Sequence, residues 1–377
     1  MTTQIKPIAI YLPQYHPIPE NNKWWGEGFT EWSNVVKAKP LFEGHYQPHL
    51  PADLGFYDLR LQETMIAQAN LAKQYGIYGF CYYHYWFNGK LLLEKPLHQM
   101  LNNEKVNMPF MLCWANENWT RRWDGLDQEI LMKQEYGDKD DEEHITYLIQ
   151  FLKDPRYIRV NNKPVVVIYK TFLLPDPSKT ASIWRAIAAK HGFDLYLCHM
   201  EFSYNNENKL CDGFDAVIDF EPFGIRRANN VFSEVIKKRQ KLYATSLIDK
   251  VLRKLKLKKI TDPLIKYNIL DYKYAYSGLR SLNSYNFKIF PALVPGWDNS
   301  ARRKNNPTLI YTNSTPAKFK QWLKSILIDF KPYSVDESFV FINAWNEWAE
   351  GNHLEPCQKW GVEYLTALRD QLQESDN

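Results

Sequence analysis

Two glutamates near the C-terminal end of the 377-residue chain have the type and spacing that a sugar-cleaving site requires. Glu347 and Glu350 follow the apolar run 339–342 and lie beside Trp345 and Trp348. Glycosidic cleavage uses one carboxyl group as an acid and a second as a base or nucleophile. Two carboxylates in a partly dry cleft repel each other, so one pKa should rise. We therefore predict both glutamates as catalytic residues, with capping of a following helix as the alternative role.

Clusters of polar and aromatic side chains also follow most of the other apolar runs. They occupy residues 13–16, 84–88, 115–124, 199–201, 221–223 and 295–299. If the runs are parallel strands of a barrel, their carboxyl ends meet at one face and the clusters form a single site. The predicted substrate-binding residues are Tyr11, Gln14, Tyr15, His16, Trp32, Tyr83, His84, Trp86, Trp114, Asn116, Glu117, Trp119, Arg121, Glu201, Asp219, Glu221, Trp297, Asp298, Trp345, Asn346, Trp348 and His353.

Eight apolar runs alternate with helix-like segments along the chain. Continuous rather than alternating apolarity is typical of strands that are buried on both faces. The alternation predicts an α/β fold, a single (β/α)8 barrel of the TIM type, with a doubly wound open sheet as the alternative. The predicted strands are 8–12, 76–83, 109–114, 164–169, 194–198, 216–220, 289–294 and 339–342, and the clearest helices are 58–75, 140–152, 180–191 and 316–330.

Two long insertions interrupt this alternation, after strand one at 24–56 and after strand six at 224–287. Segments of that length in a compact domain usually form lids or binding walls. We find no internal repeat and no low-complexity linker. We therefore predict one domain over residues 1–377, with a basic helical insertion at about 230–285.

The composition is that of an ordinary globular protein, with 45% hydrophobic residues and five scattered cysteines that form no Cys-x-x-Cys pair. Such cysteines predict reduced thiols in a cytosolic compartment and no structural zinc. The N-terminal segment has no signal-peptide pattern, and no run approaches the roughly 18 apolar residues of a membrane span. These features predict a cytoplasmic protein. The 13 Trp and 24 Tyr suit either an aromatic-rich core or sugar stacking, and stacking is expected of those that cluster with polar residues at strand ends.

The positive charge is concentrated in one segment. Residues 237–259 hold ten Lys or Arg and one Asp, so this window carries 10 − 1 = +9, and the rest of the chain carries 4 − 9 = −5. Apolar residues at helical spacing lie among these cations, which predicts either a solvated lid helix or an interfacial helix that attracts anionic lipid. The second interpretation places the protein at the inner membrane face. Nucleic acid is an unlikely partner, because no recognised binding motif is present.

The chain resembles the WbsX-like proteins of bacterial polysaccharide gene clusters, which belong with the glycoside hydrolase family 99-like group of (β/α)8 barrels. The resemblance extends from about residue 8 to residue 372. It rests on the motifs Tyr11-Leu12-Pro13-Gln14-Tyr15-His16, Trp25 to Trp32, Trp114 to Trp123, Asp219-Phe220-Glu221-Pro222 and the segment 343–356.

This resemblance implies a retaining endo-acting α-mannosidase-like enzyme that needs no metal or other cofactor. It implies that Glu347 deprotonates the sugar 2-hydroxyl, which attacks its own anomeric carbon, while Glu350 acts as general acid and then as base. The characterised hydrolases of this group carry a histidine between the tryptophan and the second glutamate of the motif. This chain has Ala349 at that position, and His353 lies nearby. That difference bears on substrate identity more than on reaction type. The implied partner is an oligosaccharide or polysaccharide substrate.

Several of the predicted residues have alternative roles. Arg121 and Arg122 suit either ion pairs or an anionic sugar, and Asp219 and Glu221 suit either sugar binding or pairing with arginines. His16 and His84 are more typical of hydrogen-bonded scaffolding than of catalysis. A metal site of His16, His84, His199 and Asp219 lacks any supporting ligand spacing.

Two other functions compete with glycosidic cleavage. A glycosyltransferase would usually contain a Gly-rich phosphate loop or an Asp-x-Asp motif after a strand. Here the acidic run 138–141 precedes a probable helix and is interpreted as its N-terminal cap. A non-catalytic glycan-binding subunit is the third possibility, and it predicts that function survives loss of Glu347 and Glu350.

Overall fold

The structure is a computed structural model that describes residues 4–121, 126–202, 210–227, 267–303 and 309–376, together with Lys237, Val251, Lys254 and Leu255. Eight successive parallel strands form its centre. They are β1 (Lys6–Tyr11), β2 (Gly79–Phe87), β3 (Phe110–Trp114), β4 (Lys163–Ile168), β5 (Tyr196–Glu201), β6 (Ala216–Asp219), β7 (Ile289–Phe290 with Ala292–Leu293) and β8 (Phe339–Ile342).

The seventh strand closes the barrel by pairing on both sides. Its first half aligns Ile289 with Val217 of β6, and its second half aligns Ala292 with Phe341 of β8. Pro291 separates the halves; it has no N–H to donate, and its carbonyl accepts the Phe341 N–H at 2.8 Å. The remaining pairs follow chain order from β6 back to β1, and β1 pairs with β8. The predicted (β/α)8 barrel is confirmed, and all eight predicted strands are present.

Nine α-helices occur in the described ranges. They are α1 (Pro19–Trp25), α2 (Trp32–Val35), α3 (Gln62–Gln74), α4 (Lys95–Leu101), α5 (Asp138–Leu152), α6 (Pro177–Lys190), α7 (Lys273–Tyr276), α8 (Pro316–Asp329) and α9 (Glu363–Asp376). The four clearest predicted helices correspond to α3, α5, α6 and α8. No helix of the described ranges has the length and apolar character needed to cross a membrane.

The acidic run before α5 differs from its predicted role as an N-terminal cap. The helix begins at Asp138 itself, with Gly137 in the capping position, so the run forms the first turn. Two of its carboxylates point inward. Asp140 accepts a hydrogen bond from Trp86 Nε1 at 2.7 Å, and Asp141 accepts one from Thr180 at 2.8 Å. One oxygen of each acid therefore has a tertiary hydrogen-bond partner.

The insertions surround the carboxyl ends of the strands. The segment after β1 carries α1 and α2, and a two-stranded hairpin (Trp119–Arg121 with Leu126–Met132) follows β3. After β6, a short strand Ile269–Asp271 pairs with Ile310–Thr312 and precedes α7. Most of the basic segment 237–259 lies outside the described residues. The single-domain count and the helical insertion at about 230–285 therefore stay predictions.

Candidate active site

The two predicted catalytic glutamates lie directly beyond β8. Glu347 ends a two-residue strand, Asn346–Glu347, that pairs antiparallel with Asn352–His353, and Glu350 ends the single turn Trp348–Glu350 between them. Gly351 completes this turn at φ +56°, a conformation that side-chain-bearing residues rarely adopt. An added Cβ there would also lie 3.0 Å from the Asp298 Cβ. The tight turn therefore needs glycine to place Glu350 beside Glu347.

One arginine joins both glutamates. Arg302 Nη2 lies 2.7 Å from Glu347 Oε2, and Arg302 Nη1 lies 2.7 Å from Glu350 Oε1. A third carboxylate, that of Glu31, accepts from Arg302 Nε at 3.1 Å. Glu347 and Glu31 are 5% and 0% exposed, whereas the side chain of Glu350 is 19% exposed. The two glutamates thus share one guanidinium, with Glu350 the more open to solvent.

Burial dominates the electrostatics of this group. It raises the pKa of Glu347 to about 8, with Glu350 and Glu31 acting in the same direction and Arg302 opposing them. Burial also raises the pKa of Glu31, again against Arg302. A carboxyl group that titrates near neutral pH is well matched to proton transfer in catalysis.

The glutamates lie at one end of a cavity of about 490 Å³, within the roughly 300–1,000 Å³ typical of ligand sites. Residues that follow most of the barrel strands line it, as the predicted convergence of clusters requires. Its rings are Trp25, Tyr83, Tyr85, Trp119, Tyr169, Phe202, Phe220, Phe223 and Trp297, and its polar side chains include Gln14, Glu117, Asn118, Lys170, Asn299, Arg302, Arg303, Asn343, Glu347 and Glu350.

The hairpin after β3 and helix α1 form one aromatic wall. Trp119 contacts Trp24 edge to face at a centroid distance of 5.8 Å and Tyr85 at 5.2 Å. Arg121 stands outside the cavity lining, where it pairs with Glu129 at 2.8 Å and lies 5.8 Å from the Trp25 ring centroid. The sequence analysis left open whether Arg121 forms an ion pair or binds an anionic sugar, and in the structure it forms an ion pair. Arg122 lies outside the described residues.

Hydrogen bonds connect the segment after β3 to the segment after β4 beside the cavity. The Asn116 side chain donates to the Lys170 carbonyl at 2.9 Å and accepts the Lys170 N–H at 2.8 Å. The Lys170 ammonium forms an ion pair with Glu117 and lies 5.2 to 5.9 Å from the ring centroids of Tyr169, Phe202 and Phe172. Asn116 thus positions two cavity groups of opposite charge.

Beneath the glutamates, predicted residues hold β1 against the segment after β8. The fully buried Asn346 side chain accepts the Leu12 N–H at 2.8 Å and donates to the Leu12 carbonyl at 3.0 Å. Tyr15 donates to the Asn346 carbonyl at 2.6 Å. The rings of Tyr11, Trp32, Trp345 and Trp348 are buried in the surrounding core. These residues support the site from below the cavity lining.

Several predicted polar residues form buried pairs of their own. His84 contacts His144 at 2.9 Å, and Glu201 lies 3.5 Å from His199. Trp86 bonds to Asp140, as described above, and Trp114 donates to the Trp86 carbonyl at 3.2 Å. His16 is 2% exposed, and burial lowers its pKa to about 4. Within the described residues, no three or more His, Cys, Asp or Glu side chains are grouped to hold a metal ion.

The remaining predicted residues brace the loops around the site. Glu221 pairs with Arg227 at 2.9 Å, and Asp219 accepts the Arg226 N–H at 3.5 Å, so both acids face arginines. Asp298 accepts from His45 at 2.7 Å and Gln47 at 2.6 Å, which ties the β7 loop to the first insertion. His353 contacts His49 at 3.1 Å.

The sequence did not single out Arg302 or Glu31, nor the cavity residues Tyr85, Asn299 and Asn343. Asn299 is the last residue of the strand-seven cluster 295–299, and Arg302 follows it closely, which was the available signal for both. Glu31 belongs to a motif of the resemblance, but its contact with Arg302 spans 271 residues. Only the closed barrel and its insertion bring these two residues together.

The family of the chain follows from comparison with known sequences. A sequence model described as Glycosyltransferase WbsX matches residues 7–368, nearly the whole length. The chain belongs to the WbsX family. This membership confirms the resemblance predicted from the motifs. The WxcX protein of Xanthomonas campestris pv. campestris is 38% identical over 367 residues, which cover 97% of this WbsX chain and 49% of the relative. The chain thus spans about half the length of the curated relatives it matches.

Solved structures share the barrel of this WbsX protein at low identity. A GH99 endo-alpha-mannosidase from Bacteroides thetaiotaomicron matches with a TM-score of 0.57 and 12% identity, over 98% of this chain and 97% of that chain. A structure described as a glycoside hydrolase-like protein matches with a TM-score of 0.56 and 13% identity, over 98% of this chain and 94% of that chain. At such identities the likeness concerns the fold, which is glycoside hydrolase-like.

Proposed function

We propose that this WbsX-family protein is a retaining endo-type glycoside hydrolase that acts on a bacterial surface polysaccharide or a lipid-linked glycan. The observation that carries the proposal is that Glu347 and Glu350 share one guanidinium at an aromatic-lined cavity beyond the barrel strands. Paired carboxyl groups and ring faces in one site are what glycosidic cleavage requires. The fold likeness to an endo-alpha-mannosidase supports an α-mannoside-like substrate.

The proposed chemistry assigns a separate role to each glutamate. Glu347 takes the proton of the sugar 2-hydroxyl, whose oxygen attacks the anomeric carbon as the bond to the leaving oxygen breaks. Glu350, the more exposed group, gives its proton to that leaving oxygen. Water then opens the epoxide-like intermediate, Glu350 takes a proton from the water, and Glu347 returns its proton to the 2-oxygen. The two inversions at the anomeric carbon retain its configuration.

Cavity residues then have defined tasks. Trp119 and Trp297 offer faces for sugar stacking, and Arg302 fixes the separation of the two carboxylates. The aromatic walls exclude water and so strengthen the electrostatic interactions inside the cavity. Lys170 and Glu117 supply charge-assisted hydrogen bonds at the side formed by β3 and β4.

Product analysis on bacterial surface oligosaccharides tests this function. We expect the wild-type protein to release shorter oligosaccharides without any nucleotide sugar. Glu347→Gln and Glu350→Gln should each lose activity by at least about 10³-fold while retaining glycan binding. Glu363→Gln, which removes an exposed carboxylate of α9, is the matched control and should behave as wild type. Full glycan processing by both cavity variants would contradict catalysis by this pair.

Glycosyl transfer is the second candidate, because the family description itself names a glycosyltransferase. A transferase would extend an acceptor glycan only when an activated sugar donor is supplied. The same product analysis, repeated with nucleotide sugars, therefore separates the two functions. Longer products that need the donor would favour transfer, whereas donor-independent shortening favours hydrolysis.

A further inference from the structure

The carboxylate of Glu31 contacts the same arginine as the two catalytic candidates, through a different nitrogen of Arg302. Arg302 offers Nε to Glu31 at 3.1 Å and its two terminal nitrogens to Glu347 and Glu350 at 2.7 Å each. Three carboxylates therefore share one positive charge, and two negative charges would be uncompensated if all three ionised. In a buried site such an excess is costly, and uptake of a proton relieves it.

Resting on the function proposed above, we propose that Glu31 is a positioning residue that acts through Arg302. It holds the guanidinium between Glu347 and Glu350, and its negative charge favours retention of a proton by that pair. Glu31 does not line the cavity, so this role is distinct from contact with the sugar. Through Glu31, the first insertion would thus help to position the two candidate catalytic glutamates.

The backbone around Glu31 is packed firmly enough for this role. Glu31 directly precedes α2, and its N–H donates to the Gln14 carbonyl at 3.4 Å. The next residue, Trp32, donates through Nε1 to the Tyr57 carbonyl at 2.8 Å and contacts the Trp348 ring at a centroid distance of 5.6 Å. The insertion and the segment that carries both glutamates are therefore in direct contact.

Three tyrosines also lie close to this cluster, and Arg303, Lys170 and Glu117 line the same cavity. Tyr15, Tyr83 and Tyr85 interact electrostatically with Glu347, and burial raises the pKa of each above its ordinary value. They therefore stay neutral at physiological pH. The charge that Glu347 experiences depends on Arg302, Glu350 and Glu31.

Glu31→Gln tests the charge separately from the position, because glutamine keeps the length and an acceptor oxygen for Arg302. We expect the rising limb of the kcat/KM profile to move to lower pH by roughly one unit, with kcat at its optimum pH close to wild type. Glu31→Asp keeps the charge but draws Arg302 away, so kcat should fall by about tenfold or more with little change in KM. Glu20→Gln, on α1, is the matched control and should leave the profile unchanged.

A second measurement needs no substrate and separates this inference from the proposed function. The free energy of unfolding is measured across pH for the protein with Glu347 and for the same protein carrying Glu347→Gln. The difference between the two curves reports the titration of Glu347. Its midpoint should be lower in the Glu31→Gln background, and it should not fall in the Glu31→Asp background, where the charge remains and Arg302 is drawn away from Glu347. An unchanged midpoint in Glu31→Gln, or wild-type kcat in Glu31→Asp, would overturn the inference. If wild-type protein cleaves no glycan while the midpoint still moves, only the proposed function fails.

Discussion

Arg302 contacts three carboxylates, so its planar fork determines how the two candidate catalytic groups are held. The contacts to Glu347 and Glu350 use different terminal nitrogens, and each is 2.7 Å long. A rigid guanidinium fixes the spacing of two carboxylates in a way that a flexible ammonium does not. At the scale of single residues, the geometry of the two glutamates therefore depends on Arg302, an arginine that the sequence analysis did not identify.

The proposed role of Glu347 as a base predicts the direction of the pH dependence. Burial raises its pKa to about 8, so below that pH most of the population is protonated and cannot accept the 2-hydroxyl proton. We expect a bell-shaped kcat/KM profile, whose rising limb reports loss of the Glu347 proton at about tenfold per unit and whose falling limb reports loss of the proton that the general acid must donate. Initial rates of oligosaccharide cleavage between about pH 5 and pH 9.5 measure this profile, provided that the protein stays folded across that range. A profile without a rising limb would contradict the role of Glu347 as a base.

Arg302→Lys preserves the positive charge but removes the fork. One ammonium cannot hold three carboxylates in the same plane, so kcat/KM should fall by about 10²-fold. Arg302→Met leaves the buried carboxylates without a cation and should lower the free energy of unfolding by about 3–5 kcal/mol. Steady-state kinetics and urea unfolding check the two effects. Arg369→Lys, at a half-buried site on α9 away from the cavity, serves as the control. A fully active Arg302→Lys would show that the planar guanidinium is dispensable.

At the scale of elements, the strands were predictable because each is a short apolar run buried on both faces. β2 and β8 show this, since every residue in both is buried. Glu347 and Glu350 were predictable because they follow β8 directly. Glu31 and Arg302 were not, because their meeting depends on where a long insertion folds, and residue spacing carries no record of a contact across 271 positions.

One amide side chain makes two of the hydrogen bonds that connect the β1 end to the segment after β8. Asn346 satisfies both backbone groups of Leu12, and it is fully buried. Asn346→Ala leaves an N–H and a carbonyl without partners, so we expect the free energy of unfolding to fall by about 2–4 kcal/mol. Asn346→Asp keeps the acceptor for the Leu12 N–H but loses the donor.

Urea unfolding at neutral pH measures these changes. The exposed Asn283→Ala provides the control and should change the free energy of unfolding by less than about 0.5 kcal/mol. Because Glu347 is the next residue, activity should fall along with stability in both Asn346 variants. An Asn346→Ala protein as stable as wild type would mean that water or a rearranged backbone replaces the lost hydrogen bonds.

At the scale of the whole molecule, charge is unevenly distributed along the chain. The window 237–259 carries +9, and the remainder carries −5. Val251 and Leu255 within this window are 50% and 61% exposed, and the Leu255 N–H donates to the Val251 carbonyl at 2.9 Å. Exposed apolar residues among cations are typical of segments that bind anionic membrane surfaces.

Liposome co-sedimentation tests this membrane contact. We expect binding to vesicles with anionic lipid and not to neutral vesicles, because each cation near the surface contributes about 1 kcal/mol of attraction. Raising the salt from about 0.1 M to 0.5 M should weaken binding by shortening the Debye length. Replacing Lys254, Lys256, Lys258 and Lys259 with Gln should abolish it, whereas the same change at the exposed Lys37, Lys39, Lys73 and Lys190 should not. Equal binding to both kinds of vesicle, or none to either, would exclude an electrostatic membrane contact by this segment.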